Sequence, residues 1–210
     1  MSASTLFLPR PVPLPRPRPT PAQGPALDDP SWEVAHVPSP VGVFRMGYQG
    51  DHVMYVDLKE RGVNHPALAP ARRAHRPPFP PGSPPRQLQE YFSGSRRDFS
   101  LVTDFLTGSA FDRRVWAEIS RIPFGSVRSY GEVANALRLP GGARAVGGAA
   151  GRNPIPIVVP CHRLVGQDRT LTGYGMGLWR KRWLLKHEGA YPLPRTGTTL
   201  RPGSTQRTLG

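Results

Sequence analysis

This chain of 210 residues has little sulfur, little lysine and little acid. It holds one cysteine, Cys161, three lysines, and 14 Asp and Glu together. A single thiol excludes an intramolecular disulfide framework and any multi-cysteine zinc or iron–sulfur centre. No run of 18 apolar residues occurs, so neither a membrane-crossing helix nor a membrane partner is expected. The opening stretch MSASTLFLPRPVP lacks the apolar centre of a secretory signal, because Pro9 and Pro11 end its short hydrophobic run. A cytoplasmic location is the default expectation, close to the nucleoid in a bacterium. Apolar residues make up 38% of the chain, so part of it is expected to lie outside a packed core.

Arginine and proline are what the chain has instead. Of its 28 basic residues 25 are Arg, and the formal net charge of +14 points to a polyanionic partner. Nine of the 27 prolines fall in residues 1–30, which read as a polyproline II or disordered tail. Eight more lie between Pro66 and Pro85 and read as a long irregular loop. Residues 191–210 are polar and rich in Gly and Thr, the composition of a frayed tail. The charge sits elsewhere. Residues 107–190 carry +8, against +1 for 1–31, +2 for 32–106 and +3 for 191–210. The basic excess therefore belongs to a proline-poor segment that also holds the cysteine.

Periodicity predicts an α+β fold in two domains between two tails. Residues 41–58 hold two β-rich runs around Gln49-Gly50-Asp51, a hairpin pattern. Residues 87–94 read as a short helix closed by Gly94. These give a small α+β domain over 32–105, after a tail at 1–31. From Phe111 the period becomes helical. Phe111, Val115, Trp116, Ile119 and Ile122 mark one face of a helix that stops at Pro123. Ser129-Tyr130-Gly131-Glu132 is a capping-box pattern opening a helix to about Leu137. Leu139-Pro140-Gly141-Gly142 breaks it, and residues 143–152 form a second short helix, an order that fits a helix-turn-helix. Pro156 and Pro160 predict an extended run over 155–160. A closing helix carries Leu178, Trp179, Trp183, Leu184 and Leu185, read as core, with Lys181, Arg182 and Lys186 toward its cation-preferring end. Residues 106–190 thus form a second, mostly helical domain, followed by a tail at 191–210.

Cys161 follows the proline-bounded run and precedes His162 and Arg163. A thiol becomes nucleophilic when neighbouring cations or a base favour the thiolate. A lone cysteine is otherwise a small core hydrophobe, and the polar His-Arg neighbours favour reactivity. Adjacent residues of an extended chain point to opposite sides, so Cys161 and His162 would communicate through a water.

The segment Asn153-Pro-Ile-Pro-Ile-Val-Val-Pro-Cys161-His162-Arg163 resembles the active-site signature of the O6-alkylguanine-DNA alkyltransferases, the methylated-DNA–protein-cysteine methyltransferases. Ile122-Pro-Phe-Gly125, Ser129-Tyr130, Ala143 to Ala149 and Trp183 to Gly189 fit the same family. The resemblance is strong over 107–190 and fainter over 87–106. It implies an N-terminal domain of RNase H-like fold and a C-terminal helix-turn-helix of winged-helix type.

The resemblance also implies roles. Cys161 would accept the alkyl group from O6-alkylguanine, and from O4-alkylthymine, in a single irreversible turnover. His162 would act on the thiol through a water, and Glu188 would orient and charge-stabilise His162. Asn153 would order the turn that carries the cysteine. Tyr130 would donate its hydroxyl toward the guanine ring so that the base leaves neutral. Arg144 would enter the base stack in place of the flipped nucleotide, with Ala143 and Gly147 meeting the minor groove. Pro156, Tyr174 and Gly175 would wall the alkyl pocket. The partner would be double-stranded DNA, the protein a monomer, and no cofactor or metal is implied. His36, His52, His65 and His75 lack the spacing of zinc ligands.

Taken singly, several of these residues have plainer readings. Glu188 fits a solvated helix position, Tyr130 a packing residue, Arg144 a surface arginine and Asn153 an ordinary turn. Their coincidence with the motif favours the functional reading. DNA chemistry also explains the pattern. O6 of guanine is stacked and paired, so the nucleotide must leave the helix to be reached. An Ala/Gly-rich helix suits the narrow minor groove, whereas a base-reading helix would present Asn, Gln or several Arg. That argues against a sequence-specific transcription factor. An intact Pro-Cys-His-Arg argues against a non-catalytic lesion-binding relative, and no acyl site suggests a cysteine hydrolase. Two departures from the family pattern stand out: Asp112 where Gln is typical, and Gly175 where some members have Ser.

Overall fold

The computed structural model describes residues 32–58 and 74–191. The expectations for the tails at 1–31 and 192–210, and for the proline-rich stretch up to residue 73, fall outside the described residues. Strands β1 (Glu33–Ser39), β2 (Gly42–Gln49) and β3 (His52–Leu58) form an antiparallel meander. Two-residue strands flank it: β4 (Ala74–His75) runs parallel to β1, and β5 (Val102–Thr103) parallel to β3. The sheet order is β4-β1-β2-β3-β5.

The expected hairpin is present, with Gly50 at φ 58 in its tight turn and Gln49 opposite His52. Strand β1, which precedes the expected hairpin, contains Pro38. Pro38 pairs with Val43 on one side only, and β4 stops at Val34 and Ala35. Its missing N–H therefore faces no neighbouring strand.

Helix α1 (Pro84–Phe92) begins earlier than the sequence suggested. Pro84 and Pro85 occupy its first turn, where an absent N–H breaks no helical hydrogen bond. Helix α2 (Ala110–Ile119) opens on a capping box between Ser109 and Asp112. After Pro123, the short strand β6 (Arg128–Ser129) leads into α3 (Tyr130–Ala136), where the expected Ser129–Glu132 capping box forms in full. Helix α4 (Ala143–Gly151) completes the helix-turn-helix. Its small residues allow α2 close enough for Trp116 Nε1 to donate to the Ala149 carbonyl at 2.8 Å.

Two expectations fail. Residues 155–160 are not extended. The Val159 N–H donates to the Ile155 carbonyl at 2.9 Å, and Ile157 sits at φ 78. The prolines bias only the residues before them, leaving Ile157 and Val158 free to reverse the chain. A β-branched residue at positive φ is unusual and persists only where its surroundings impose it. Cys161–Arg163 then form one turn of 3₁₀ helix, followed by β7 (Leu164–Val165), which pairs parallel with β6.

The second failure concerns α5 (Leu178–His187). Leu184 and Leu185 are buried, but Leu178 and Trp179 are exposed and Trp183 is half-buried. The inward face of α5 runs through Lys181, Leu184, Leu185 and Glu188, the i, i+3, i+4, i+7 spacing of one helix face. Polar chemistry takes the place of tryptophan there.

One hydrophobic core joins the sheet and the helices. Phe44, Met46, Leu88 and Tyr91 meet Trp116, Ile119, Val146, Ile155 and Leu184 in a single buried cluster. Full burial of such side chains contributes about 1.5–3 kcal/mol each. The sheet also reaches the cysteine loop directly: the Val56 N–H donates to the Pro154 carbonyl at 2.9 Å. No helix among the described residues is long and apolar enough to cross a membrane.

Candidate active site

The loop that delivers the cysteine is closed by one side chain. Asn153 Oδ1 accepts from the Ile155 N–H at 3.0 Å, and its Nδ2 donates to the Val159 carbonyl at 2.8 Å. The same Nδ2 lies 3.3 Å from Cys161 Sγ. Cys161 is 8% exposed and free. Burial pushes its thiol above the ordinary value, while Asn153 and the nearby Lys181 charge pull it back. The resting group is a thiol that needs a base.

Glu188 gathers the polar groups behind the cysteine. Its Oε1 accepts from Tyr91 Oη at 2.7 Å and Arg163 Nη2 at 2.9 Å, and lies 2.8 Å from His162 Nε2. Its Oε2 accepts from Arg163 Nε at 2.8 Å and the Gly125 N–H at 3.4 Å. Burial alone would raise its pKa, but His162 and Arg163 outweigh that and hold the carboxyl well below the usual range. Gly125 is at φ 75, and a Cβ there would sit 3.0 Å from the Glu188 carbonyl, so the site requires glycine.

His162 is completely buried. Burial lowers its pKa below the ordinary imidazole value, against the opposing pull of Glu188. A neutral imidazole donating from Nε2 to the carboxylate leaves Nδ1 as a lone-pair acceptor. That Nδ1 is buried and bonded to no described group. No direct bond joins it to Cys161.

In front of the cysteine lies a cavity of about 410 Å³. Tyr130, Ala143, Arg144 and Gly147 line it from the helix-turn-helix, and residues 172–175 line it from the other side. The structure thus brings together Cys161, Tyr130, Arg144, Ala143, Gly147, Tyr174 and Gly175 around one space. Arg144 is exposed at its edge. Tyr130 Oη donates to the carbonyls of Thr172 and Gly173 at 3.3 and 3.2 Å. Pro156 is not part of the wall. It is buried within the reversed loop, because that loop folds back instead of running along the pocket.

Sequence reasoning missed three contributors. Lys181 was read only as a cation toward the cation-preferring end of its helix, yet it is fully buried. Its Nζ donates to the carbonyls of Thr172 and Gly173, and burial lowers its pKa to about 8, with the neighbouring Cys161 opposing. Its phase with Leu184, Leu185 and Glu188 was the available signal. Arg163 was read only as a neighbouring charge, whereas it binds Glu188 through two nitrogens. Tyr91 belongs to the faintly matching stretch, 97 residues from Glu188 in sequence. Among the described residues, no three His, Cys, Asp or Glu side chains are grouped to hold a metal ion.

A family model for the 6-O-methylguanine DNA methyltransferase DNA-binding domain matches residues 110–190. The methylated-DNA–protein-cysteine methyltransferase of Haemophilus influenzae is 37% identical over 155 residues, 73% of this chain and 84% of that protein. The chain belongs to the methylated-DNA–protein-cysteine methyltransferase family. The Shigella flexneri member is 49% identical over 109 residues, and that match spans 52% of this chain and 64% of the relative's length. Crystal structures of Mycobacterium tuberculosis O6-methylguanine methyltransferase and of Mycobacterium tuberculosis OGT in complex with DNA superpose with TM-scores of 0.63 and 0.61. They are 37% and 38% identical, and each match covers 76% of this chain and 93% or 92% of theirs. The expected α+β architecture agrees with these structures.

The departure at Asp112 has a local explanation. Its carboxylate caps α2 and takes Arg152 at 2.6 Å, with Ser109 on the other side. It lies outside the cavity wall.

Proposed function

We propose that this protein repairs O6-alkylguanine in duplex DNA by moving the alkyl group onto Cys161. The observation that carries the reading is the only thiol of the chain, at the wall of a 410 Å³ cavity and backed by the His162–Glu188 pair. His162 Nδ1 takes the thiol proton through a water. The thiolate attacks the alkyl carbon, the S–C bond forms as the C–O bond breaks, and guanine departs. Tyr130 gives up its carbonyl contacts and passes its hydroxyl proton to the departing ring, so that guanine leaves neutral, and the proton held by His162 restores the phenol through solvent. The thioether product has no easy leaving group, so each molecule acts once and needs no cofactor.

Residues 32–105 serve in this reading as the scaffold and 106–190 as the DNA-binding and transfer domain. The helix-turn-helix meets the minor groove through Ala143 and Gly147, while Arg144 fills the gap left by the flipped nucleotide. Tyr174 and Gly175 face the alkyl group. O4-alkylthymine is a second substrate, and the working unit is a monomer.

Incubation with an O6-methylguanine duplex tests the reading. One methyl mass should appear on the peptide carrying Cys161, at no more than one per protein. Cys161→Ala should lose transfer and keep DNA binding. Protein that stays unmodified, or turns over repeatedly, would overturn it.

A further inference from the structure

One hydroxyl enters the site from the sheet side of the molecule. Tyr91, in α1, is buried, and its Oη donates at 2.7 Å to the Glu188 oxygen that lies 2.8 Å from His162 Nε2. The ring has little freedom. Phe92, Phe99, Phe124 and His187 surround it, with centroids 5.2–6.2 Å away, and His187 Nε2 holds the Tyr91 carbonyl at 2.7 Å. A buried phenol placed this rigidly on a carboxylate draws charge from the oxygen that the imidazole also uses.

We propose that Tyr91 is a positioning residue for alkyl transfer: its hydroxyl limits the negative charge that Glu188 presents to His162, and thereby sets the pH at which His162 can take the thiol proton. The inference rests on the transfer reaction proposed above. The other groups facing this pair act in known directions. Arg163 engages both carboxylate oxygens, and with Lys181 of α5 it disfavours the imidazolium. Tyr174 acts on Tyr91 in the direction that keeps its phenol protonated, and His187 contacts Tyr91. Among the described residues, Tyr91 is the one neutral side-chain donor on the carboxylate besides His162 itself. Burial and the Glu188 charge both push its pKa well up, so it stays protonated and donating.

The sign follows. Without the phenol, Glu188 interacts more strongly with His162, the imidazolium gains, and the acid limb of the reaction moves to higher pH. The experiment follows alkyl transfer from free O6-benzylguanine to the full-length protein across the acid and neutral range. Tyr91→Phe should move the acid limb up by roughly half to one pH unit, about a three- to tenfold loss of rate on that limb. The rate above the limb should change little. Tyr91→3-fluorotyrosine keeps the shape with a more acidic phenol and should move the limb down, which keeps the test alive if Tyr91→Phe folds poorly. Histidine NMR titration of His162 should move in parallel. A uniform drop in rate with an unmoved limb, or shifts of the same sign in both variants, overturns the inference. A wild-type protein that transfers nothing overturns the functional reading instead, and the His162 titration still decides what Tyr91 does.

Discussion

Asn153 Nδ2 lies 3.3 Å from Cys161 Sγ and 2.8 Å from the Val159 carbonyl, so one amide holds both the thiol and the loop that presents it. Asn153→Ala removes a donor that favours the thiolate, and the Cys161 pKa should rise further. A hydrogen bond to a charged group contributes about 1.5–3 kcal/mol, so transfer at neutral pH should slow by roughly ten- to a hundredfold. Asn153→Asp should be slower still, because it turns a donor into a negative acceptor facing the sulfur. Rates of Cys161 alkylation by iodoacetamide against pH check both. Equal rates in wild type and Asn153→Ala would remove Asn153 from the activation of the thiol.

Lys181 makes a stability prediction with a definite sign. Its folded pKa is lowered to about 8, whereas an unfolded lysine titrates near about 10.4. Between these values the unfolded state binds more protons, so this group's contribution to stability rises with pH. Below about pH 8 the fold bears the full cost of a buried charge. Against Lys181→Met, the wild type should therefore gain up to about 3 kcal/mol in relative stability from about pH 8 to 10. Urea unfolding of both proteins in a Cys161→Ala background checks this without the thiol titrating as well. Transfer by the Cys161-containing Lys181→Met protein should fall at neutral pH, since a cation that favours the thiolate is gone. A flat stability difference across that pH range would mean that Lys181 titrates normally.

The Glu188 carboxylate has the opposite linkage. Its folded pKa is depressed, because His162 and Arg163 outweigh the burial that would raise it. Its stabilisation is present above the unfolded carboxyl pKa of about 4.3 and is lost as pH falls toward the folded value. Glu188→Gln leaves Arg163 buried without its counter-charge, a loss of about 3–5 kcal/mol. The double variant Glu188→Gln/Arg163→Met should recover part of that stability and none of the transfer. Thermal unfolding of the three proteins at neutral pH decides it. A single variant as stable as wild type would show that the buried pair contributes nothing to the fold.

The limits of the sequence lie in particular residues. Ser129 and Glu132 are three apart and form their capping box by local geometry alone, so the start of α3 is legible. The Pro-Cys-His-Arg motif points to the thiol and to His162 through the family resemblance, because its residues are contiguous in sequence. The path of residues 155–160 was not legible, because the Asn153 staple, and not the prolines, decides that Ile157 reverses the chain. Lys181 was misread because burial of a lysine depends on carbonyls supplied by a separate loop. The contact of Tyr91 with Glu188 spans 97 residues, a distance at which neither periodicity nor spacing carries information. Pro38 is tolerated within β1 because no strand lies beside it on one edge, a matter of sheet order and not of local sequence.

Arg144 provides the test that separates DNA handling from chemistry. It is exposed, lines the same cavity as Cys161, and sits on the second helix of the helix-turn-helix. If it occupies the place of the flipped nucleotide, it offsets an unstacking cost of about a few kcal/mol that only a duplex substrate imposes. Arg144→Ala should then slow repair of an O6-methylguanine duplex by roughly a hundredfold, the equivalent of about 3 kcal/mol. Its reaction with free O6-benzylguanine should stay within about twofold of wild type, because a free base has no stack to leave. Arg144→Lys should recover part of the duplex rate through its charge, but not the part that depends on a planar group. Equal losses on the two substrates would place Arg144 in the pocket chemistry. No loss on either would leave it a surface arginine.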